Sequence, residues 1–528
     1  MSALNEALED LAKLRLRSDL THPKVSLKIA PGEARQCIEA FIEMMNTLVV
    51  PDIFAIALDI ELLRSLPNII GSPYINVDAG VHVMYYSAIH YGLCHIRGPG
   101  HAQTQAAYLK ALEHVPAWLD TPTETDMDGY TAAMAAWVAI NNLDYQLSWK
   151  FHCKACHWVK SRGIDKMDVT PAMTLEEERK RESIRYLYYH ILSTDCLFRL
   201  FYNKPTILRW DPEKVKPPSV MTSRNLHPSP TQVMISCVWT SYTARSVEVV
   251  SYIDSADCKG TEMFSKVEDC CKNMEALVSD WRMEAVLADT TIRLPLRCLV
   301  ADHVMNIYAN IVGLKRLANR VGNVTTVDEM TVRAARKVVG TLLEFDQEGG
   351  LADRSKPDPV DYVCHFILFY PFCAVFTLYE YIIACTNPDE CEEDVRQLEH
   401  IADAMEHTSQ TIRPDLKPFA KTIKALNKVS RTMQDSRRKR PLSADGHSAN
   451  ISGGQTQPEN FHTIAMSDLD PSAFDTFPDF PMTTDGDPDP LGFVRAMEND
   501  FIGRNWHENW WDMGGSLENG MNYMPPNT

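Results

Sequence analysis

One short string, H-C-K-A-C-H at residues 152–157, holds the residue types that could do metal or cofactor chemistry. C-x-x-C-H is the string to which c-type haem is attached, and a Cys pair with this spacing can form half of a structural zinc site. Haem attachment requires export, for which the N-terminus shows no apolar secretory core, and zinc requires a second pair of ligands. The string also lies in a helical apolar pattern that starts near Tyr130. It therefore predicts packed helix residues with no metal or cofactor, and a metal site is the alternative.

The sequence lacks the strings that mark common hydrolase, nucleotide and metalloprotease sites: G-x-S-x-G, G-x-x-x-x-G-K-[ST] and H-E-x-x-H. An all-helical terpene cyclase would need D-D-x-x-D to hold Mg²⁺, and this string is also missing. Asp144, Ser148 and His152 have the i, i+4, i+8 spacing of the second metal motif of that class, but the last ligand is of the wrong type. We therefore expect no enzyme and no catalytic residues, with an unrecognised all-helical enzyme as an alternative.

The elements that would position these residues are helices. Apolar residues recur at three- and four-residue spacing almost throughout, beginning with four leucines in the first 14 residues, and no strand pattern competes. The sequence predicts an all-α protein with an amphipathic helix and linker over residues 1–30 and a multi-helix domain over residues 31–432. A proline-rich connection predicts a hinge near residues 205–230.

The composition is that of a soluble globular protein, with 45% hydrophobic and 23% charged residues in a chain of 528. Residues 362–379 form the longest run without a formal charge, but it is barely long enough for a bilayer and contains Pro371. It predicts a pair of buried core helices and no membrane segment. The 14 cysteines are scattered, which is typical of a reduced intracellular protein.

Most of the net charge of −18 lies at the C-terminal end, since residues 441–528 have 14 acidic residues against two arginines. Overall acidity argues against a body that binds nucleic acid non-specifically, because phosphate contacts need clustered Lys and Arg. Residues 442–528 are rich in Asp, Pro, Gly, Ser and Asn and cannot bury enough apolar surface to offset the ordering of the backbone. We expect this C-terminal segment to be disordered.

A basic cluster, Arg437, Arg438, Lys439 and Arg440, immediately precedes the C-terminal segment. A compact cluster of this kind in an exposed linker, here residues 433–441, is what import receptors with acidic grooves bind. It predicts a nuclear import signal and a nuclear location, and a merely solvated run of charge is the alternative.

Eight Phe and Trp residues are interspersed with acidic residues between positions 474 and 511 of the C-terminal segment. The acids keep the rings exposed and free to enter the groove of a partner, which is typical of a segment that folds on binding. We expect an activation segment that binds a coactivator or the general transcription machinery, with an inert solubilising tail as the alternative. The residues assigned to activation are Phe474, Phe477, Phe480, Trp506, Trp510 and Trp511.

Residues 175–205 read LEEERKRESIRYLYYHILSTDCLFRLFYNKP. Their order of basic run, aromatic helix, Asp and basic-proline end resembles the signature of the regulatory middle domain of fungal zinc-cluster transcription factors, E-x-R-R-R followed by an aromatic helix, an Asp and G-R-P. The resemblance is specific over about residues 120–220 and general, as a long helical domain, over about residues 30–430. The matching residues are Arg179, Lys180, Arg181, Asp195, Asn203, Lys204 and Pro205.

The chain departs from this family at two places. In the preceding helix Ala155 matches the pattern, but Cys153 and His157 stand where the family has Gly and Arg. The six-cysteine zinc cluster that reads DNA is missing, because only Cys37 precedes Cys94. The resemblance therefore implies a helical regulatory domain, with DNA binding only if a module missing from this chain is present.

Asp195 lies within an apolar stripe of the helix that contains the signature. A carboxylate in such a stripe needs a cationic or hydrogen-bonding partner. Arg199, one turn later, and Lys204, at the helix exit, are the candidates, so we expect an ion pair that locks this helix to the loop after it. Arg181 and Pro205 complete the structural motif, and exposure of Asp195 to a solvent gap is the alternative.

Three hypotheses on function follow. The first is a nuclear transcription regulator, most simply an activator, and the resemblance implies a fungal metabolic or secondary-metabolite pathway. The second is a scaffold that does not bind DNA and pairs with itself or with a zinc-cluster factor through its N-terminal helix. The third is the all-helical enzyme.

Overall fold

The computed structural model describes residues 26–48, 60–122, 125–219, 230–345, 371–411, 413 and 416–439, together with residues 494, 495 and 498 near the C-terminus. Within these ranges every regular element is a helix, so the prediction of an all-α protein is confirmed. The predicted N-terminal helix and the rest of the C-terminal segment lie outside the described residues.

Sixteen α-helices of five or more residues cover the described ranges. The first eight are α1 (Pro31–Leu48), α2 (Ile60–Ile69), α3 (Ala79–Arg97), α4 (Ala102–Leu112), α5 (Val115–Leu119), α6 (Asp126–Asn141), α7 (Tyr145–Ser161) and α8 (Leu175–Phe201), with a short 3-10 helix, Ile164–Lys166, before α8. The other eight are α9 (Pro230–Ile253), α10 (Gly260–Asp280), α11 (Met283–Ala288), α12 (Leu294–Val321), α13 (Glu329–Phe345), α14 (Pro371–Ala384), α15 (Glu392–Thr411) and α16 (Lys417–Lys439).

Side-chain caps at the N-termini fix where the helices around the site begin. Thr125 and Asp128 form a capping box at α6, in which each side chain accepts a hydrogen bond from the other residue's backbone N–H. Asp144 caps α7 by accepting from the Leu147 N–H, and Thr174 caps α8 in the same way. Each cap satisfies an N–H group that has no partner inside its helix.

The helices enclose one continuous apolar core. In the N-terminal half α3 packs against α1 and α4, and α6 packs against α7. In the C-terminal half α12 packs against α9, α10 and α13, and α15 packs against α16. Helix α8 contacts α6 and α7 as well as α9 and α12, so the helix that contains the signature residues joins the two halves.

The described part of the predicted hinge, residues 205–219, is packed against the body. Leu208 and Val215 are fully buried, and the Trp210 indole donates to the Val215 carbonyl. Prolines prevent helix formation here, as expected, but the apolar residues between them still pack. The hinge between two subdomains stays a prediction, and residues 220–229 lie outside the described residues.

Within the described ranges, no helix combines the length and the apolar character needed to cross a bilayer. The second part of the apolar run, from Pro371, forms α14, where Leu378 and Tyr379 are fully buried in the core. The first part, residues 362–370, lies outside the described residues.

Gly92 of α3 marks the closest approach of two helices in the N-terminal half. A Cβ atom at this position would lie 2.1 Å from the backbone carbonyl oxygen of Cys37 in α1. Backbone cannot yield as the end of a flexible side chain can, so only glycine allows α1 and α3 to pack at this distance. By contrast, Gly340 in α13 has nothing within 4 Å of the same built atom.

We expect Gly92→Ala to lower the free energy of unfolding by about 1–3 kcal/mol, because α1 must move away from α3. Gly340→Ala is the matched control and should raise it by up to about 1 kcal/mol, because alanine favours a helix more than glycine does. Chemical denaturation measures both. An unchanged midpoint for Gly92→Ala would contradict the close approach.

Candidate functional site

Asp195 forms a polar junction between α7, α8 and the chain after α8. Its side chain is 3% exposed, and the Oδ1 atom lies 2.8 Å from Nε2 of His152 in α7. The carboxylate also accepts hydrogen bonds from the backbone N–H groups of Ile207, at 3.0 Å, and Leu208, at 3.1 Å. The prediction that Asp195 is buried and locks α8 to the following loop is therefore confirmed.

The turn after α8 brings those N–H groups back to Asp195. The helix ends at Phe201, and Asn203 has a φ of 51°, in the left-handed region that asparagine adopts more readily than most residues. The Lys204 N–H donates back to the Phe198 carbonyl, and Pro205 cannot continue the helix. The Asn-Lys-Pro triplet thus reverses the chain along α8.

The predicted partners of Asp195, Arg199 and Lys204, were wrong. Arg199 pairs with Asp254 at the end of α9, with Nη2 and Oδ1 2.6 Å apart, and Lys204 donates to the Gln146 side chain at 3.1 Å. Both basic residues are partly exposed, whereas the Asp195 carboxylate is buried. The His152 imidazole and two backbone N–H groups therefore take the role that we assigned to a cation.

Arg181, the last basic residue of the signature, fastens the start of α8 to the loop before it. Its guanidinium donates to the carbonyl oxygens of Met167, at 2.9 Å, and Thr170, and pairs with Glu177 at 2.6 Å. These carbonyl groups lie in irregular backbone that has few other partners. Arg181 therefore acts as a structural residue, in agreement with the motif assignment.

Sequence reasoning missed Arg185, whose charged side chain is buried in this region at 2% exposure. Its Nε atom donates to the Asp168 carboxylate, and its Nη1 atom donates to the carboxylates of Glu178 and Glu182. The nitrogen–oxygen distance is 2.8 Å in each of these three contacts. Burial raises the pKa of the Asp168 carboxyl, but hydrogen bonds from Arg185 and the Lys216 N–H outweigh it, so the pKa lies below its ordinary value. The available signal was the one used for Asp195, a charged residue beside apolar residues on one helix face.

His152, Cys156 and Asp195 are, within the described ranges, the one group of three possible metal ligands close together. Nε2 of His152 lies 2.8 Å from Asp195 and 3.2 Å from the Cys156 sulfur, distances that fit direct hydrogen bonds. The Asp195 carboxylate already accepts two backbone N–H groups, and all three side chains are buried. The donor set therefore fits a hydrogen-bonded lock, and we assign no metal to it.

The three residues with terpene-cyclase-like spacing have separate structural contacts. Asp144 caps α7, Ser148 donates to the Ala136 carbonyl at 2.8 Å, and His152 binds Asp195. Burial raises the pKa of Asp144 to about 7. The side chains contact different parts of the core, so they do not converge on one ion.

The predicted import cluster does not lie in an exposed linker up to residue 439, because α16 continues to Lys439. Arg437 donates to the backbone carbonyls of Cys385, at 2.6 Å, and Ile383, at 2.7 Å, at the end of α14. Arg438 is exposed and pairs with Glu392 at 2.6 Å. The last carbonyls of a helix need hydrogen-bond donors, and Arg437 supplies them to α14. For this reason Arg437 packs against the body, where the sequence predicts an exposed linker. Arg440 lies outside the described residues.

The predicted activation residues, Phe474, Phe477, Phe480, Trp506, Trp510 and Trp511, lie outside the described residues. Within the C-terminal segment the structure describes Val494, Arg495 and Glu498, which are helical. Val494 is fully buried in the core of the body, and Glu498 pairs with Arg316 of α12. These three residues contact the body, and the other residues of the segment lie outside the described residues.

In comparisons with known proteins, no family model, no curated protein and no solved structure matches this chain.

A double-mutant cycle tests the partner of Asp195. We expect Asp195→Ala to lower the free energy of unfolding by about 3–5 kcal/mol, the range for removing one side of a buried pair. Its coupling energy to His152→Ala should be about 1–3 kcal/mol, and its coupling to Arg199→Ala below about 0.5 kcal/mol. Urea denaturation of the wild type, the three single variants and the two double variants measures both coupling energies. A stronger coupling of Asp195 to Arg199 than to His152 would instead support the ion pair that the sequence predicts.

Arg437 and Arg438 form a natural pair of adjacent arginines with different roles. Arg437→Gln should lower the free energy of unfolding by about 1.5–3 kcal/mol, because charged hydrogen bonds to the α14 carbonyls are lost. Arg438→Gln, with its exposed ion pair, should change it by less than about 1 kcal/mol. Thermal unfolding of both variants measures the two changes in stability. Equal, small effects would mean that Arg437 is free for another role.

Proposed function

We propose that this chain is a transcription activator, in which a helical regulatory body carries an acidic-aromatic activation segment. The observation that carries the proposal is the composition of residues 441–528, where 14 acids and nine Phe and Trp residues, eight of them between positions 474 and 511, occur with two arginines and no lysine. Such a segment keeps large rings in water while they remain available to a partner. A tail selected only for solubility has no need of these rings.

The body supports this proposal through its signature residues. Arg181 and Asp195, together with the turn at Asn203, are bonded to loops on either side of α8. The residues that carry the resemblance thus serve a common structural purpose, to hold α8 in place between the two halves. That is consistent with a regulatory scaffold of the fungal zinc-cluster factor type, acting in a metabolic or secondary-metabolite pathway.

A nuclear location is part of the proposal. The contacts of Arg437 do not support a free import peptide that includes this residue. An import receptor that binds an extended basic segment would have to compete with the α14 carbonyls for this side chain. Arg438 is more accessible, since its ion pairs, with Asp389, Glu392 and Asp435, lie at the surface. Nuclear entry in company with a DNA-binding partner would combine the first and second hypotheses.

Fusion of residues 441–528 to a foreign DNA-binding domain tests the activation role. We expect the fusion to activate a reporter by at least about tenfold, and replacement of the eight Phe and Trp residues between 474 and 511 by alanine to abolish activation, since binding depends on a few buried aromatic anchors. Alanine at eight Ser, Thr or Asn positions of the same segment is the matched control. A silent reporter at equal protein level, or full activity without the rings, would favour the scaffold.

A further inference from the structure

The C-terminal segment contacts the body through Val494, Arg495 and Glu498, which we call the tail contact. Val494 joins the apolar core, although it lies more than 50 residues beyond the end of α16. Arg316 of α12 donates to both carboxylate oxygens of Glu498, with 2.6 Å between Nη1 and Oε1. A two-fold contact between a guanidinium and a carboxylate is the strong form of this interaction.

Glu380 of α14 connects the two arginines of this surface. Its Oε1 atom lies 3.2 Å from Nε of Arg495 and 3.4 Å from Nη2 of Arg316, and its side chain is 6% exposed. Arg495 also donates to the Thr325 carbonyl at 3.3 Å. The charges therefore alternate across the contact, from Glu498 to Arg316, Glu380 and Arg495.

We propose that this surface of α12 and α14 is a docking site for the acidic-aromatic segment of the same chain, and that docking and coactivator binding exclude each other. The docking site consists of Arg316, Glu380 and the carbonyl at Thr325. The second part of the proposal rests on the proposed function, because it needs an activation segment to restrain. The first part concerns the chain alone.

The docking site can exist with and without its occupant. When the segment leaves, Arg316 and Glu380 remain within reach of each other, so neither buried charge loses every partner. Burial lowers the pKa of Arg316, but the attraction of Glu498 and Glu380 outweighs it, so the guanidinium remains charged in the docked state. A single small apolar residue and a few ion pairs form a weak contact, and the covalent linkage supplies the local concentration that makes it effective.

Exclusion follows from the positions of the rings in the sequence. Phe493 immediately precedes Val494, and Phe501 comes three residues after Glu498. A partner that takes these rings into a groove as an amphipathic helix must bind the same stretch of backbone. Val494 cannot lie in the core of the body and on a helix bound to the partner at the same time.

Docking is tested in the full chain by hydrogen–deuterium exchange of the amides of residues 494–498. We expect Glu498→Arg, which places two like charges at Arg316, to accelerate exchange by at least about tenfold, because the open state becomes the major one. Asp487→Arg makes the same change of charge in the same segment and should leave this exchange unchanged. Arg316→Gln opens the contact from the body and should accelerate it too, with thermal unfolding as the check that the body still folds.

The same full-length variants, joined to a foreign DNA-binding domain, test exclusion. We expect Glu498→Arg and Arg316→Gln to raise reporter activity by at least about threefold, and Asp487→Arg to leave it unchanged. Unchanged exchange in Glu498→Arg would overturn docking. Faster exchange without a rise in activity would overturn exclusion. A silent fusion of residues 441–528 would instead refute the proposed function, and the exchange experiment would still decide whether the segment docks.

Discussion

The Asp195 carboxylate imposes the constraint on which the middle of this structure depends. A carboxylate inside an apolar core must have hydrogen-bond donors, because leaving it unpaired costs several kcal/mol. The donors here come from α7, through His152, and from the backbone after α8, through Ile207 and Leu208. Satisfying one side chain thus fixes the angle of α8 against α7 and the direction of the chain beyond it. Since α8 also packs on α9 and α12, the same requirement positions the C-terminal half.

The fold class and the burial of Asp195 could be predicted because both depend on local spacing. Apolar residues three and four apart define a helix face, and an acid on that face is buried with it. The partners could not be predicted in the same way. His152 lies 43 residues away from Asp195, and a backbone N–H group leaves no mark in the sequence. Arg199 was the nearer candidate along the helix, but its side chain reaches Asp254, 55 residues later and just beyond the end of α9.

The partners of buried basic residues could not be predicted from the sequence either. The buried Arg185 binds three acids, and Arg437 binds the terminal carbonyls of α14. In the sequence both stand in short charged strings that suggest a surface role. Arginine can be buried in this way because its planar fork donates several hydrogen bonds at once and stays charged. A compact basic cluster is therefore a weaker signal for a binding peptide when a helix that continues through it can place one of its members against a neighbouring helix end.

The body and the C-terminal segment both carry a net negative charge, so the tail contact forms between two acidic parts of the chain. The first 440 residues carry −6 and residues 441–528 carry −12, so long-range electrostatics favour separation of the two. Any docking must therefore depend on a local positive site that outweighs this repulsion at short range. Arg316 provides it, because its guanidinium is largely shielded from water and faces two carboxylates. The position of the tail is then decided by where one partly buried cation lies in an acidic protein, and the distribution of charge matters more than its sum.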